Sequence, residues 1–127
     1  MIGCFSEEEH SQKYPIFFMK WFYPDKANYI SLVSKVEQGK IVNEVKNYMK
    51  ESSNIDVQSA NVPRFIPGID FSDHLSYWNK NYEAIMVTDT AFYRNPNYHS
   101  ASDTIDTLDF DKMAELVKGI YWAVVNL

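Results

Sequence analysis

Apolar runs of strand length alternate along this chain with segments whose apolar residues recur at helical spacing. Tyr82–Thr88 is a nearly continuous apolar run, which is typical of a strand buried on both faces, and such strands lie mostly in parallel sheets. Tyr29–Val33 has the same character, and Ile55–Phe65 is a weaker extended segment that ends at a Pro-Gly turn. We therefore predict that Tyr82–Thr88 is a central strand.

Three other segments have the pattern of helices. Gly39–Glu51 and Asp109–Val125 both place their apolar side chains on one face, and acidic residues at the start of the second favour a helix N-terminus. Ser72–Lys80 predicts a short helix that Ser72 or Asp73 can cap. The predicted apolar faces are Ile41, Val42, Val45, Tyr48 and Met49 in the first helix, and Phe110, Met113, Ala114, Val117, Ile120, Tyr121 and Val124 in the last.

This alternation of strands and helices predicts a single α/β domain over residues 1–127 with a largely parallel sheet. The 127 residues, 46% of them hydrophobic, suffice for one core. The net charge of −5 and the absence of a Lys/Arg run argue against a nucleic-acid or anionic-membrane surface. A single cysteine, Cys4, excludes an intramolecular disulfide and a Cys-rich zinc site, and no apolar stretch approaches the length of a membrane span.

Two segments near the N-terminus have an ambiguous pattern. Met1–Phe5 is short and apolar and could be the tail of a strand. Tyr14–Tyr23 is dense in aromatic residues and lies between prolines, which suits a short edge strand or a surface loop. So much aromatic surface needs to be covered by the core or by a partner.

The polar segment Asp89–Asp103, directly after the predicted central strand, is the first candidate for chemistry. In open α/β sheets, ligands lie beyond the carboxyl ends of the strands. His99 could bind zinc through one ring nitrogen while the other donates to a carboxylate, and Asp103 is four residues on. The alternative is an exposed loop histidine, and spacing alone favours this alternative because one histidine makes no metal site.

Two further groups of polar residues could in principle be catalytic or metal-binding, but a purely structural interpretation fits each of them better. Ser72-Asp73-His74 is not a catalytic triad, because triad members converge from distant positions, so a helix cap with a polar first turn is the better interpretation. Glu7-Glu8-Glu9-His10 could bind a metal, but a solvated loop fits it better.

Several motifs together resemble a known family. Pro67–His74 has the sequence PGIDFSDH, and Val87–Pro96 has VTDTAFYRNP, followed by Tyr98-His99-Ser100 and Asp103-Thr104. With Met1-Ile2-Gly3, these motifs resemble the C-terminal half of the zinc aminopeptidases, the family of bacterial leucyl aminopeptidases and aminopeptidase Y, which is related to glutaminyl cyclases. The resemblance covers nearly all of the chain from Arg64 onward and is weaker before it.

The resemblance implies a three-layer α/β/α fold with a mixed sheet and two zinc ions in each complete domain. It implies hydrolysis of N-terminal residues from peptides by a metal-activated water. His99 matches a zinc ligand of the family, and Tyr98 matches the tyrosine that polarises the substrate carbonyl or stabilises the oxyanion. Asp103 is expected to orient the His99 ring, and Asp73 is a candidate acid behind the ligands.

One departure from the family limits this implication. The family's other metal ligands lie upstream of the residue that Met1 matches, so His99 is the one ligand expected here, while zinc needs three or four. We therefore expect the C-terminal portion of a metallopeptidase domain, inactive alone. The alternatives are a non-catalytic remnant that binds a partner and a domain that shares only the fold and binds a small ligand at the Tyr98-His99 loop.

The expected partners follow from the same resemblance. A peptide is the substrate of the complete enzyme, and neither nucleic acid nor membrane is expected. Missing strands would leave an open sheet edge or apolar surface that a second copy could cover, giving a homo-oligomer. The resemblance leans towards a secreted or periplasmic protein.

Overall fold

A computed structural model describes the whole chain, Met1–Leu127. Its elements, in chain order, alternate between strands and helices, and none of the helices is long and apolar enough to cross a membrane. They are β1 (Tyr29–Ser34), α1 (Gly39–Ser52), β2 (Asp56–Asn61), α2 (His74–Trp78), β3 (Met86–Thr88) and α3 (Phe110–Asn126), with short 3₁₀ turns at Phe17–Trp21, Val36–Gln38, Ala91–Tyr93 and Ile105–Thr107.

The three strands form one mixed sheet in the order β2-β1-β3. β1 pairs with β2 in parallel, from Tyr29 opposite Asp56 to Ser34 opposite Asn61, and α1 makes the crossover between them. β1 pairs with β3 in antiparallel orientation, with Leu32 opposite Val87. The predicted α/β class is therefore confirmed.

The prediction of a central strand over Tyr82–Thr88 is wrong. β1 is the central strand, and β3 is a three-residue strand at the edge. The first part of the apolar run instead belongs to the turn that ends α2, where Asn81 adopts a left-handed conformation with φ 62° and the Tyr82 N–H donates to the Tyr77 carbonyl at 3.0 Å. Such left-handed residues commonly terminate helices, and here the turn leaves Tyr82 65% exposed.

Both faces of the sheet are covered, because every side chain of β1 is buried and successive side chains point to opposite faces. Ile30 and Leu32 belong to the larger core, together with residues of α1 and α3. Val33 belongs to a second core with Trp78 of α2. The sheet therefore lies between a layer of two helices and a layer formed by α2 and loops.

The two long helices confirm the predicted elements, but only one confirms the predicted face. In α1, Val42, Val45 and Met49 are buried as predicted. In α3, the buried residues are Leu116, Gly119 and Ala123. Predicted face residues that are instead exposed to solvent are Phe110, Ala114, Val117, Tyr121 and Val124.

The ambiguous N-terminal segments contain no strand. Met1–Phe5 is irregular, although its main chain is tied to the residues around it: the Asp89 N–H donates to the Met1 carbonyl and the Asp109 N–H to the Gly3 carbonyl. Tyr14–Tyr23 is a surface loop around a 3₁₀ turn, one of the two structures that its pattern allows.

Candidate functional site

The segment Asp89–Asp103, which we call the site loop, begins where β3 ends and is anchored there by the carboxylate of Asp89. This side chain is completely buried. One oxygen accepts the N–H groups of Gly3 and Cys4 at 3.0 and 2.9 Å, and the other accepts the N–H of Ala91 at 3.0 Å. Three N–H donors offset the cost of burying the charge, so Asp89 joins the N-terminal segment to the start of the site loop.

Arg94 fixes the middle of the site loop from the inside of the protein. Its guanidinium donates to Gln12 Oε1 through Nε and Nη2, at 3.0 and 2.7 Å, and to the carbonyls of Cys4 and Tyr29 through Nη1. Burial lowers the pKa of Arg94, while electrostatic interactions with Tyr29 and Asp89 oppose that shift. The group remains a cation held by uncharged acceptors.

The site loop also contains unusual backbone conformations. Thr90, Ala91 and His99 have φ values of 72°, 49° and 57°, in the left-handed region that non-glycine residues occupy rarely. The fixed contacts of Asp89 and Arg94 hold the first two residues in place. Conformations of this kind cluster at functional sites.

His99 lies beyond the C-terminal end of β3 with an exposed ring, as predicted. Its ring stacks on the Tyr98 ring, with 4.0 Å between the centroids and 20° between the planes. Asp103 makes no direct hydrogen bond to His99, and its carboxylate instead accepts the side-chain N–H of Asn95 at 3.0 Å. The predicted orienting role of Asp103 thus stays a prediction, while its observed contact closes the loop.

The Ser72-Asp73-His74 cluster begins α2, and its three side chains have separate environments. Asp73 occupies the position before the helix, but its exposed side chain forms no capping hydrogen bond, so the predicted side-chain cap is wrong. His74 is buried against Trp78, and its Nε2 lies 2.6 Å from the Ile69 carbonyl oxygen. His74 therefore holds α2 against the preceding turn.

A cavity of about 180 Å³ opens beside the site loop. Tyr98 and Phe92 line it on the side of the loop, and Val33, Val62 and Met86 line it on the side of the sheet. Tyr14, Met19 and Tyr23 of the Tyr14–Tyr23 loop form another wall. The remaining aromatic residues of that loop are exposed to solvent and are covered neither by the core nor by the cavity: Phe17, Phe18, Trp21 and Phe22. The lining is mostly apolar, which suits an uncharged side chain of a ligand.

Tyr14 and Tyr29, which both line the cavity, are close enough for their hydroxyls to form a hydrogen bond. The Tyr14 hydroxyl donates to the Pro24 carbonyl and lies 3.1 Å from the Tyr29 hydroxyl. Burial raises the pKa of Tyr14, and the hydrogen bond with Tyr29 raises it further. Burial also raises the pKa of Tyr29. Both phenols are therefore neutral groups at physiological pH.

The residues of this chain do not complete a zinc site. No three His, Cys, Asp or Glu side chains come together in a way that could hold a metal, and zinc sites need three or four such ligands. The Glu7–His10 cluster is dispersed in solvent, with His10 Nδ1 2.7 Å from Asp25 Oδ2 and Glu7 bound to Asn28. The exposed His99 ring makes no hydrogen bond within the protein, and its role as a zinc ligand stays a prediction.

Sequence reasoning missed the residues that support the site loop. Gln12 is buried and bonds to both Arg94 and Thr90, although it lies two residues after the Glu7–His10 cluster, which the sequence pattern assigns to a solvated loop. Asp89 follows an apolar run directly, and an acidic residue in that position is a usable signal of a strand-end anchor. No local signal identifies Gln12, because its partners are 78 and 82 positions away.

The chain also matches a family of known proteins. Residues 21–124 match the sequence model of peptidase family M28. No solved structure matches the chain significantly.

The chain is also similar to individual proteins. The uncharacterized protein YfbL of Escherichia coli strain K12 is 46% identical over 126 residues, which are 99% of this chain and 39% of YfbL. Probable leucine aminopeptidases of Arthroderma benhamiae and Trichophyton verrucosum are each 48% identical over 52 residues, which are 40% of this chain and 14% of those proteins. The chain thus spans about two fifths of the length of YfbL and a smaller part of the fungal proteins.

Proposed function

Because the chain belongs to peptidase family M28, we propose that it forms the part of an aminopeptidase that binds the N-terminal residue of a peptide. The cavity would hold the side chain of that residue, and Tyr98 and His99 would face the bond to be cleaved. The observation that supports this proposal is the position of Tyr98, which lines the cavity and also stacks on the exposed ring of His99.

The chemistry of the cavity supports an apolar first residue. Its wall beside the sheet includes Val33, Val62 and Met86, which offer no charge to pair with a charged side chain. Two relatives are described as probable leucine aminopeptidases, and an aliphatic side chain of that size suits such a wall. The Tyr98 hydroxyl would donate a hydrogen bond to the scissile carbonyl, which is most useful when the oxygen gains negative charge.

The zinc ions that the resemblance implies need further ligands, because His99 is the one side chain of this chain positioned for them. The first test is therefore the activity of the chain alone. It should hydrolyse leucine p-nitroanilide at the background rate, with or without added zinc. Robust turnover that a chelator abolishes would contradict this proposal about the ligands.

The second test measures binding at the cavity. Leucinamide should shift the NMR signals of the Met19 and Met86 methyl groups, which belong to residues that line the cavity. Val62→Trp should abolish these shifts by filling the space. Val36→Trp is the matched control, because Val36 is 56% exposed and lies outside the cavity. Unchanged signals in the parent chain would contradict the binding role.

The roles of His99 and Tyr98 can be tested separately in a complex in which another polypeptide supplies the remaining zinc ligands. There, His99→Ala should lower both the zinc content and kcat. Tyr98→Phe should lower kcat and leave the zinc content intact, because it removes a donor used mainly in the transition state. Equal zinc content and equal rate in His99→Ala and the parent would rule out the ligand role.

A non-catalytic binding module is the second candidate. The observation that favours it is the absence of any metal-binding side chain grouped with His99. Such a module would bind leucinamide and remain inactive even in an assembly with a full set of ligands.

A further inference from the structure

The outer edge of β3 has main-chain groups without partners. The N–H groups of Glu83 and Ile85 make no hydrogen bond within the protein. Glu83–Ile85 leads straight into β3, and β3 has a neighbour, β1, on one side only. Unpaired edges of this kind are templates for another strand.

The direction of these groups follows from the contact of Asp89. The Asp89 N–H donates to the Met1 carbonyl at 3.0 Å and not to β1. Main-chain groups of alternate residues in a strand point to the same side. Within β3, the main-chain groups of Val87 therefore point to the same side as those of Asp89, away from β1. The N–H groups of Ile85 and Glu83, which precede the strand, make no hydrogen bond to β1. Met1 already occupies the Asp89 end of this edge, which leaves Glu83–Val87 open.

An apolar groove of about 220 Å³ lies beside the open edge. Ten of its eleven lining residues are hydrophobic, and Glu83 is the exception. Ile41, Val45 and Met49 of α1 form one wall, Ala84, Ile85 and Val87 form the edge, and Ile120, Ala123, Val124 and Leu127 form the wall of α3. Val124 and Leu127 are 68% and 62% exposed, so the groove is uncovered on the α3 side.

We call the open edge Glu83–Val87 and this groove the edge face. The open edge and the groove together determine which kind of secondary structure a partner needs. The unpaired N–H groups need main-chain carbonyls at strand spacing, which a helix does not offer because its own carbonyls are paired. The apolar groove beside them takes side chains from one side of such a strand. An extended strand with apolar residues at alternate positions therefore fits the edge face.

The comparison with YfbL indicates where such a strand comes from. This chain matches 39% of YfbL along nearly its whole length at 46% identity. About three fifths of YfbL therefore has no counterpart in the 127 residues. A large apolar surface beside an open strand edge is typical of a site that another polypeptide covers.

We propose that the edge face binds a β-strand of a polypeptide equivalent to the part of YfbL that this chain does not match. The strand pairs with Glu83–Val87 and places alternate apolar side chains in the groove. This inference rests on membership of the family and not on any activity of the chain. The added strand would end next to Met1, which already occupies the Asp89 end of the edge.

The test begins with co-expression of the tagged chain and the unmatched part of YfbL. We expect the two polypeptides to copurify as a complex. Val124→Glu should weaken binding by roughly tenfold or more, because an unpaired charge in an apolar contact is costly. Val36→Glu is the matched control, because Val36 is also an exposed valine and lies outside the groove.

Two further measurements do not depend on the folding of the YfbL part. Overlapping synthetic peptides of about 15 residues, longer than a typical strand, should include at least one that binds the chain and is blocked by Val124→Glu. In the complex, hydrogen exchange should slow at the amides of Ile85 and Val87. The absence of binding in both formats would overturn the proposal, and so would binding that leaves Ile85 unprotected.

A second copy of the chain is the competing occupant. A homodimer that Val124→Glu dissociates, without binding of any YfbL polypeptide, would show that the edge face serves self-association and would overturn the proposal. Failure of the proposed function is a separate result, because leucinamide binding is measured on the chain alone. A YfbL complex without leucinamide binding supports the edge face and contradicts the function.

Discussion

At the scale of single residues, Asp89 and Arg94 do more to shape the candidate site than the residues at its surface. Asp89 binds the N–H groups of Gly3 and Cys4, and Arg94 binds the Cys4 carbonyl, so both charges hold the same N-terminal segment. Neither contact is predictable from local sequence, because these partners lie 85 to 90 positions away. The positions of Tyr98 and His99, in contrast, follow from their own motif.

The carboxylate of Asp89 should be essential for stability. In Asp89→Asn, an amide group replaces one carboxylate oxygen, so it either faces the N–H groups of Gly3 and Cys4 or that of Ala91, which are also donors. We expect the free energy of unfolding to fall by about 2 kcal/mol or more, measured by urea denaturation. Asp106→Asn, at an exposed position, is the control, and an equal loss in both variants would contradict the anchoring role.

The buried phenol of Tyr14 should make the protein sensitive to alkaline pH. Its pKa is raised by burial above the usual 10.0, so the folded state keeps a proton that the unfolded chain loses as the pH rises past that value. The unfolded state then binds fewer protons than the folded one, and stability falls as pH rises above about 10.

Urea denaturation at pH 8 and at pH 10.5 tests this dependence. Tyr14→Phe should lose less stability between the two pH values than the parent does. At the lower pH it should cost about 1 kcal/mol, because the hydrogen bond to the Pro24 carbonyl is lost. Tyr121→Phe, at a position that is 65% exposed, should keep the pH dependence of the parent; identical profiles for all three proteins would contradict the assignment.

At the scale of elements, the two long helices were predictable in extent, but the buried face of α3 was not. Its segment from Leu116 to Val125 has Lys118 as its one charged residue, so the apolar pattern nearly surrounds the helix and cannot select a face. Contact with α1 determines which face of α3 is buried. Gly119 lies at the crossing, where an added Cβ would be 2.9 Å from Ser53 Oγ and 3.4 Å from Met49 Cβ.

This crossing predicts a coupling between Gly119 and Ser53. Gly119→Ala should gain little or lose stability in the parent, because the new methyl group displaces the Ser53 hydroxyl from its hydrogen bond with the Met49 carbonyl. In a Ser53→Ala background that obstacle is smaller, and the higher helix propensity of alanine is worth up to about 1 kcal/mol. A double-mutant cycle by urea denaturation measures the difference, and strictly additive effects would contradict the close contact.

At the scale of the whole molecule, the sequence predicted the α/β class but misplaced the centre of the sheet. The apolar runs of Tyr29–Val33 and Tyr82–Thr88 look alike, because hydrophobicity reports burial and not the order of strands. The order depends on which strands pair, and those partners are distant in sequence. β1 is central because α1 returns the chain to one side of it, while β3 arrives on the other.

The central position of β1 predicts that the two cores unfold together. Leu32 points into the core with α1 and α3, and its neighbour Val33 points into the core with Trp78. Leu32→Ala should cost about 2–5 kcal/mol, as for other buried leucines. Because β1 contributes side chains to both cores, this loss of stability should also destabilise the core that contains Trp78 on the opposite face of the sheet.

Single-tryptophan variants can follow the two faces separately. One keeps Trp78, in the second core, and the other keeps Trp122 of α3, which donates to Glu51. Their fluorescence transitions in urea should coincide, and Leu32→Ala should shift both to the same lower midpoint, since coincident probes indicate two-state unfolding. If the Trp78 transition keeps its midpoint while the Trp122 transition moves, the two faces unfold independently, and β1 does not couple them.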